Sequence, residues 1–107
     1  MGASEEGVGA GVSKWQVVLS VQARREMKKL PHHLRIPVAK RIDWLAENAD
    51  FIQHEKMTGA EEYSLHVGQF RILYTLDFQA RTITIVDIGK HNEVYQRLRK
   101  RVGRRRK

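Results

Sequence analysis

Apolar residues recur with regular periods from Lys14 onward, and these periods predict the secondary structure. The segment KWQVVLS is rich in β-forming residues and predicts a strand from about Lys14 to Leu19. Ser20 suits a helix N-cap, and the segment after it places three apolar residues on one helical stripe, Ala23, Met27 and Leu30. We therefore expect a first helix directly after the strand.

A second helix is predicted after Pro31, because a proline N–H is not needed in a first helical turn. Its apolar stripe is regular and consists of Leu34, Val38, Ile42 and Leu45. The helix should end at Asn48 or Ala49. Pro37 interrupts the hydrogen-bond ladder, so we expect the first turn to be separate. The two helices form a hairpin that requires a sheet to cover.

The second half of the chain supplies that sheet. After a loop at residues 50–62, three β-rich runs follow, Tyr63–Val67, Phe70–Asp77 and Thr82–Ile88. Short turns separate them, which favours antiparallel pairing. A last helix is predicted from about Asn92 to Val102, ending near Gly103. The order β-α-α-β-β-β-α predicts an α+β fold, an antiparallel twisted sheet packed against a helical hairpin with a C-terminal helix.

Length and composition predict one small soluble domain. Residues 1–13 contain four glycines and predict a disordered N-terminal extension, which leaves residues 14–98 as the folded domain. The chain lacks an apolar run long enough for a membrane span, and its acidic start is unlike an export signal. The absence of cysteine excludes disulfides and weakly favours a cytoplasmic location.

The positive charge is concentrated at the C-terminal end. Arg97–Lys107 holds eight of the twenty Lys and Arg residues and no acid, and the rest of the chain is balanced at twelve basic and twelve acidic residues. A basic tail at residues 99–107 indicates contact with nucleic acid or an acidic partner, and the alternative is a solvated end.

The segment YSLHVGQFRILYTL predicts a tight hairpin with Gly68 and Gln69 in a type II′ turn. This register sets His66 opposite Arg71, on the sheet face away from the apolar one, with Cβ atoms roughly 5 Å apart. A nearby guanidinium disfavours protonation of the imidazole, which leaves a proton acceptor beside a cation. That pair suits attack of an RNA 2′-hydroxyl on its adjacent phosphate. The alternative is an ordinary half-exposed face that carries a histidine and an arginine.

The segments MKKLP, KRIDWLAEN, EKMTG, YSLHVGQFRILYTLD and RTITIVDIGKHNEVY follow one another in an order and spacing that resemble the RelE/ParE toxin superfamily. The resemblance covers about Trp15 to Leu98. It implies a toxin of a type II toxin–antitoxin system. RelE-like members cut messenger RNA in the ribosomal A site without a metal, whereas ParE-like members share the fold and poison DNA gyrase.

The resemblance also implies roles for individual residues. Arg71 matches an arginine that contacts the scissile phosphate, and Tyr95 matches a tyrosine that orients or activates the 2′-hydroxyl. His66 stands where RelE-like enzymes carry a lysine, and His91 stands near a second catalytic arginine. Which histidine is acid and which is base stays open. Candidate RNA contacts are Lys56, Lys90, Arg97, Arg99, Lys100 and Arg101, although a solvated surface role is an alternative for each lysine.

The expected partners are a cognate antitoxin and the ribosome with its messenger and ribosomal RNA. The resemblance favours the RelE-like nuclease over two alternatives, a ParE-like gyrase inhibitor and an inactive binding module. We expect no metal or other cofactor. His32 and His33 diverge by about 100° on a helix, and the sequence lacks the His-Glu-x-x-His pattern of a zinc site.

Overall fold

The computed structural model describes residues 14–105, which form one five-stranded sheet and three helices. The predicted α+β class is confirmed, with one short strand in addition. The predicted extension at residues 1–13 and the last two residues of the predicted tail lie outside the described residues. The elements are β1 Gln16–Leu19, α1 Val21–Lys29, α2 His32–Asn48, β2 Glu55–Lys56, β3 Tyr63–Val67, β4 Phe70–Asp77, β5 Thr82–Lys90 and α3 His91–Arg105.

The sheet has the strand order β1-β5-β4-β3-β2. Strands β3, β4 and β5 pair antiparallel, as predicted. The antiparallel prediction is wrong for β1, which pairs parallel with β5 and places Gln16 opposite Thr82. Two helices and three strands separate β1 from β5 along the chain, which is far longer than the shortest connection that a parallel pair requires.

Helices cover both faces of the sheet. Side chains alternate between faces along a strand, so Ile72 and Tyr74 belong to one core and Leu73 to another. The larger core lies against α1 and α2 and includes the predicted stripe residues Val38, Ile42 and Leu45. The smaller core lies under α3 and contains Leu73, Val94 and Leu98. The α3 face is the one that carries the predicted functional residues.

Helix termini follow the sequence signals in part. Ser20 caps α1, because its hydroxyl accepts a hydrogen bond of 3.0 Å from the Ala23 N–H. The predicted separate first turn is wrong, since α2 runs unbroken through Pro37. Both Pro37 and His33, whose carbonyl loses its ladder partner there, are exposed to water. Helix α3 also continues past the predicted end near Gly103.

Strand β2 is absent from the sequence prediction. It consists of the exposed residues Glu55 and Lys56, which pair with Ser64 and Tyr63 of β3. Two charged residues carry no hydrophobic period, and the strand is defined only by its neighbour. Its consequence is local, because it fixes Glu55 and Lys56 at the edge of the α3 face.

Candidate functional site

The β3–β4 hairpin has the predicted register. His66 lies directly opposite Arg71, and Val67 opposite Phe70 across a two-residue turn. Gly68 has a φ of 57°, in the left-handed region that the first position of a type II′ turn requires. Side chains of directly opposed residues point to the same face, with Cβ atoms roughly 5 Å apart. The hairpin therefore presents an imidazole and a guanidinium side by side on the α3 face.

Arg71 is half-buried and has few partners of its own. Its Nη1 donates a long hydrogen bond of 3.4 Å to the neighbouring Phe70 carbonyl. Its Nε is buried and has no hydrogen-bond partner within residues 14–105. The residue opposite it on β5 is Gly89, which has no side chain to fill the space. The guanidinium thus has donor capacity left for an anion.

An open cavity of about 390 Å³ lies in front of this guanidinium and is lined by Gly68, Gln69, Arg71, Lys90, His91 and Asn92. Strand β5 ends at Lys90 and α3 begins at His91 without an intervening loop. That junction lies beside the hairpin turn, so side chains distant in sequence meet. Two of the predicted catalytic residues and one predicted phosphate ligand share this cavity.

Tyr95 contacts the cavity through His91. The two rings are edge to face, with centroids 4.0 Å apart and an interplanar angle of 85°. Residues four apart on a helix lie on the same side, and Tyr95 also lines a second cavity of about 340 Å³ together with Lys56 and Arg99. The His91–Tyr95 pair therefore stands between two cavities that each carry cationic side chains.

His66 has one neighbour that sequence reasoning missed. Its Nε2 lies 3.6 Å from Oε1 of Glu55, and its side chain is 51% exposed. The imidazole therefore lies between the Arg71 guanidinium and a carboxylate. Glu55 comes to this position only through β2, and two charged residues in a loop gave no signal for that strand.

The predicted RNA contacts divide into two groups. Arg97 turns inward, where its Nε and Nη2 donate hydrogen bonds of 2.7 and 3.0 Å to the buried carboxylate of Asp87. These bonds raise the pKa of Arg97. Arg101 also faces Asp87, at 3.8 Å. Arg99 and Lys100, by contrast, are exposed. A role of Arg97 and Arg101 in RNA binding would compete with this ion pair and stays a prediction.

Two further properties concern the described part of the chain. Between residues 14 and 105, no three His, Cys, Asp or Glu side chains come close enough together to hold a metal ion. In the same range, no helix is long and apolar enough to cross a membrane.

Comparison with known proteins gives one family and one fold. The model of the family described as ParE toxin of type II toxin-antitoxin system, parDE, matches residues 17–95. The chain matches no curated protein sequence.

Solved structures with a similar fold are RelE toxins and their complexes. A mutant of the E. coli toxin RelE in the free state is 18% identical, with a TM-score of 0.68 over 83% of this chain and 98% of that one. The RelBE2 toxin–antitoxin complex of Mycobacterium tuberculosis gives 22% identity and a TM-score of 0.63, over 73% of this chain and 92% of that one. The archaeal RelE–RelB complex of Pyrococcus horikoshii gives 18% identity and a TM-score of 0.59, over 73% of this chain and 96% of that one. At these identities the likeness shows the fold.

Proposed function

The chain belongs to the ParE toxin family of type II toxin–antitoxin systems, and we propose that this toxin is a RelE-like endoribonuclease that cuts messenger RNA in the ribosomal A site. The observation that carries the proposal is the shared cavity of Arg71, Lys90 and His91, with Tyr95 against the His91 ring. A cavity lined by cations, open to solvent, suits a phosphodiester.

The reaction that fits these side chains is an internal displacement at phosphorus. A base removes the 2′-hydroxyl proton, the 2′ oxygen bonds to phosphorus, and the bond to the 5′ oxygen breaks as that oxygen takes a proton from an acid. The products are a 2′,3′-cyclic phosphate and a 5′-hydroxyl. Arg71 stabilises the negative charge that gathers on the phosphoryl oxygens, and Lys90 adds a second cation.

The sheet order supports two imidazoles as proton carriers. Arg71 lies on β4, between β3 with His66 and β5, which leads into His91. The attacking and departing oxygens of an in-line displacement lie on opposite sides of the phosphorus. A phosphate bound over Arg71 would have one histidine on each side, so either histidine can serve as the base and the other as the acid. Tyr95, in contact with His91, orients the ribose.

The second cavity suggests where the neighbouring nucleotide runs. Lys56 and Arg99 line it together with Tyr95 and the acidic residue Glu55, and both Lys56 and Arg99 are exposed cations. An RNA strand that passes Tyr95 would place a flanking phosphate between them. Contacts of this kind bind any sequence and weaken as salt rises. Lys100 lies next to Arg99 on the exposed side of α3 and extends the same surface.

As a type II toxin, the protein is paired with a cognate antitoxin protein, and several structures of similar fold are toxin–antitoxin complexes. We propose that it acts in the cytoplasm, where translating ribosomes are its target and the antitoxin neutralises it.

One observation favours a second function. The family model that matches the sequence carries the ParE name, and ParE-like members, as noted above, poison DNA gyrase. The fold alone does not separate the two activities. A third outcome, an inactive member that only binds its antitoxin, would retain the fold and lose both.

Toeprinting of translating ribosomes tests the proposal directly. Wild-type protein should give a cut in the A-site codon that disappears in Arg71→Ala. Arg25→Ala is a matched control, because Arg25 is exposed on α1, away from this face, and it should cut like wild type. Intact message together with blocked DNA supercoiling would instead establish the gyrase function. Intact message with normal supercoiling would indicate an inactive member that only binds its antitoxin.

A further inference from the structure

Asp87 is a carboxylate in an unusual place. It lies on β5 opposite Leu73 and is fully buried. Its oxygens accept the two hydrogen bonds from Arg97 described above, and Oδ1 also accepts one of 2.9 Å from the Ile88 N–H. A buried charge is retained only when it is paired and hydrogen-bonded, and a two-pronged Arg–carboxylate contact fixes orientation as well as distance.

This contact joins the sheet to the helix that carries the proposed site. The apolar contacts of α3 with the sheet are few and involve Val94, Leu98, Val102 and part of Tyr95. Apolar contacts alone define the rotation of a helix loosely. Arg97 adds a directional bond two residues after Tyr95 on the same helix, so the geometry of that bond fixes the rotation of α3 and with it the direction in which the His91 and Tyr95 rings point.

Gly89 completes the arrangement from the other side. It lies opposite Arg71 on the neighbouring strand. A Cβ at this position would come 3.0 Å from Nη2 of Arg97 and 3.3 Å from Cγ1 of Val94. Because Asp87 holds the Arg97 guanidinium, that group is not free to move aside. Glycine therefore lets α3 approach the sheet closely beside Arg71.

We propose that Asp87, Gly89 and Arg97, together called the α3 anchor, position His91 and Tyr95 relative to Arg71. The inference rests on the proposed nuclease function. None of the three touches the scissile phosphate in this scheme. The α3 anchor acts through the helix, and a shift of about 1 Å in a catalytic group can lower a rate about 100-fold.

Two glycines of this region make a matched experiment. Gly89→Ala adds a methyl group beneath α3. Gly103→Ala adds the same methyl group to the exposed side of the same helix, where nothing lies within 4 Å. We expect Gly89→Ala to lower kcat for ribosome-bound message at least 10-fold with KM within twofold, because the cations that bind RNA remain. Gly103→Ala should leave both constants within twofold of wild type.

Variants that change the Asp87–Arg97 ion pair test whether this contact orients α3 or only fills space beneath it. Asp87→Asn keeps the side-chain shape but removes the negative charge. Arg97→Lys keeps the positive charge but loses the planar guanidinium that makes two hydrogen bonds to the carboxylate. Both should lower kcat while folded by circular dichroism, with Arg97→Lys less affected. A kcat within twofold of wild type in folded Gly89→Ala and Asp87→Asn would overturn the proposal, as would a loss that lies wholly in KM.

A readout independent of cleavage keeps this inference apart from the proposed function. The α3 amides should exchange hydrogen faster in Gly89→Ala and Asp87→Asn than in wild type, and the ring resonances of His91 should move as its contact with Tyr95 changes. If wild type cuts no message, the nuclease proposal fails, and these two signals still test the α3 anchor. Unchanged exchange and unchanged resonances would overturn it.

Discussion

Replacing Arg71 by methionine should make the protein more stable while it abolishes the proposed cleavage. The side chain has one buried N–H without a partner in residues 14–105, the Nε, and one long hydrogen bond of 3.4 Å to the Phe70 carbonyl. Leu73, two residues along β4 on the same face, shows that this side of the strand accepts an apolar side chain. Methionine has nearly the same length and no donor to leave unpaired.

The magnitude follows from these two terms. An unsatisfied buried donor costs about 1–3 kcal/mol, and a poor hydrogen bond contributes about 0.5 kcal/mol. The net expectation is a gain of about 1 kcal/mol in the free energy of unfolding. For a domain of this size that corresponds to a rise of about 4–8 °C in Tm. In the proposed reaction, loss of the Arg71 cation should lower kcat by about 100- to 1,000-fold.

Urea denaturation followed by circular dichroism measures the first effect, and toeprinting measures the second. The m-value should stay constant, since the surface exposed on unfolding changes little. Arg25→Met is the control, because that exposed side chain on α1 should change stability by less than about 0.5 kcal/mol. A loss of more than about 1 kcal/mol in Arg71→Met would show that the guanidinium supports the fold, and the reasoning from its unpaired Nε would be refuted.

Three further predictions concern stability and binding. Tyr74→Phe leaves Nδ1 of His54 without its hydroxyl partner at 2.6 Å and should cost about 1–3 kcal/mol in urea denaturation; a loss below about 0.5 kcal/mol would contradict this. Burial raises the pKa of Tyr74 above its ordinary 10.0, so stability should fall as pH rises above about 10, and the same variant should show a smaller fall. The hydrogen bond from Arg81 lowers the pKa of Asp50 below its ordinary 3.8. The stability that the ionised Asp50 contributes is present above that pH and is lost as the medium becomes more acidic. In Asp50→Asn the free energy of unfolding should therefore fall less steeply as the pH is lowered. Arg99→Ala should weaken ribosome binding and reduce the slope of log affinity against log salt concentration by about one. An unchanged slope would show that Arg99 does not contact RNA.

The register of the β3–β4 hairpin was predictable because two independent signals agree. Gly68 and Gln69 form a loop of two residues, and the apolar positions on both strands then fall on one face. A slip of one residue would move the whole apolar set to the other face of the sheet, away from α1 and α2. The position of His66 beside Arg71 follows from that constraint alone.

The packing of α3 beside this hairpin was harder to predict from the sequence. The path from β5 to α3 determines whether His91 faces Arg71, and no local pattern gives the angle between a strand and the helix that follows it. Asp87 was the available signal that was missed. A single carboxylate within the apolar run of β5 needs a buried partner, and the arginines of the helix that follows β5 were candidates for that partner. Recognising this would have separated Arg97 and Arg101 from the solvent-facing cations.

The parallel pairing of β1 with β5 has a consequence for how the protein acquires its structure. Gln16 pairs with Thr82, so β1 can join the sheet only after most of the chain has been synthesised. Contacts between such distant segments are entropically costly to form and slow the folding of a domain. A nascent chain that ends before β5 can form the helical hairpin but lacks both β5 and α3. The cavity beside Arg71 therefore cannot assemble at that stage, because Lys90, His91 and Asn92 come from this last part of the chain.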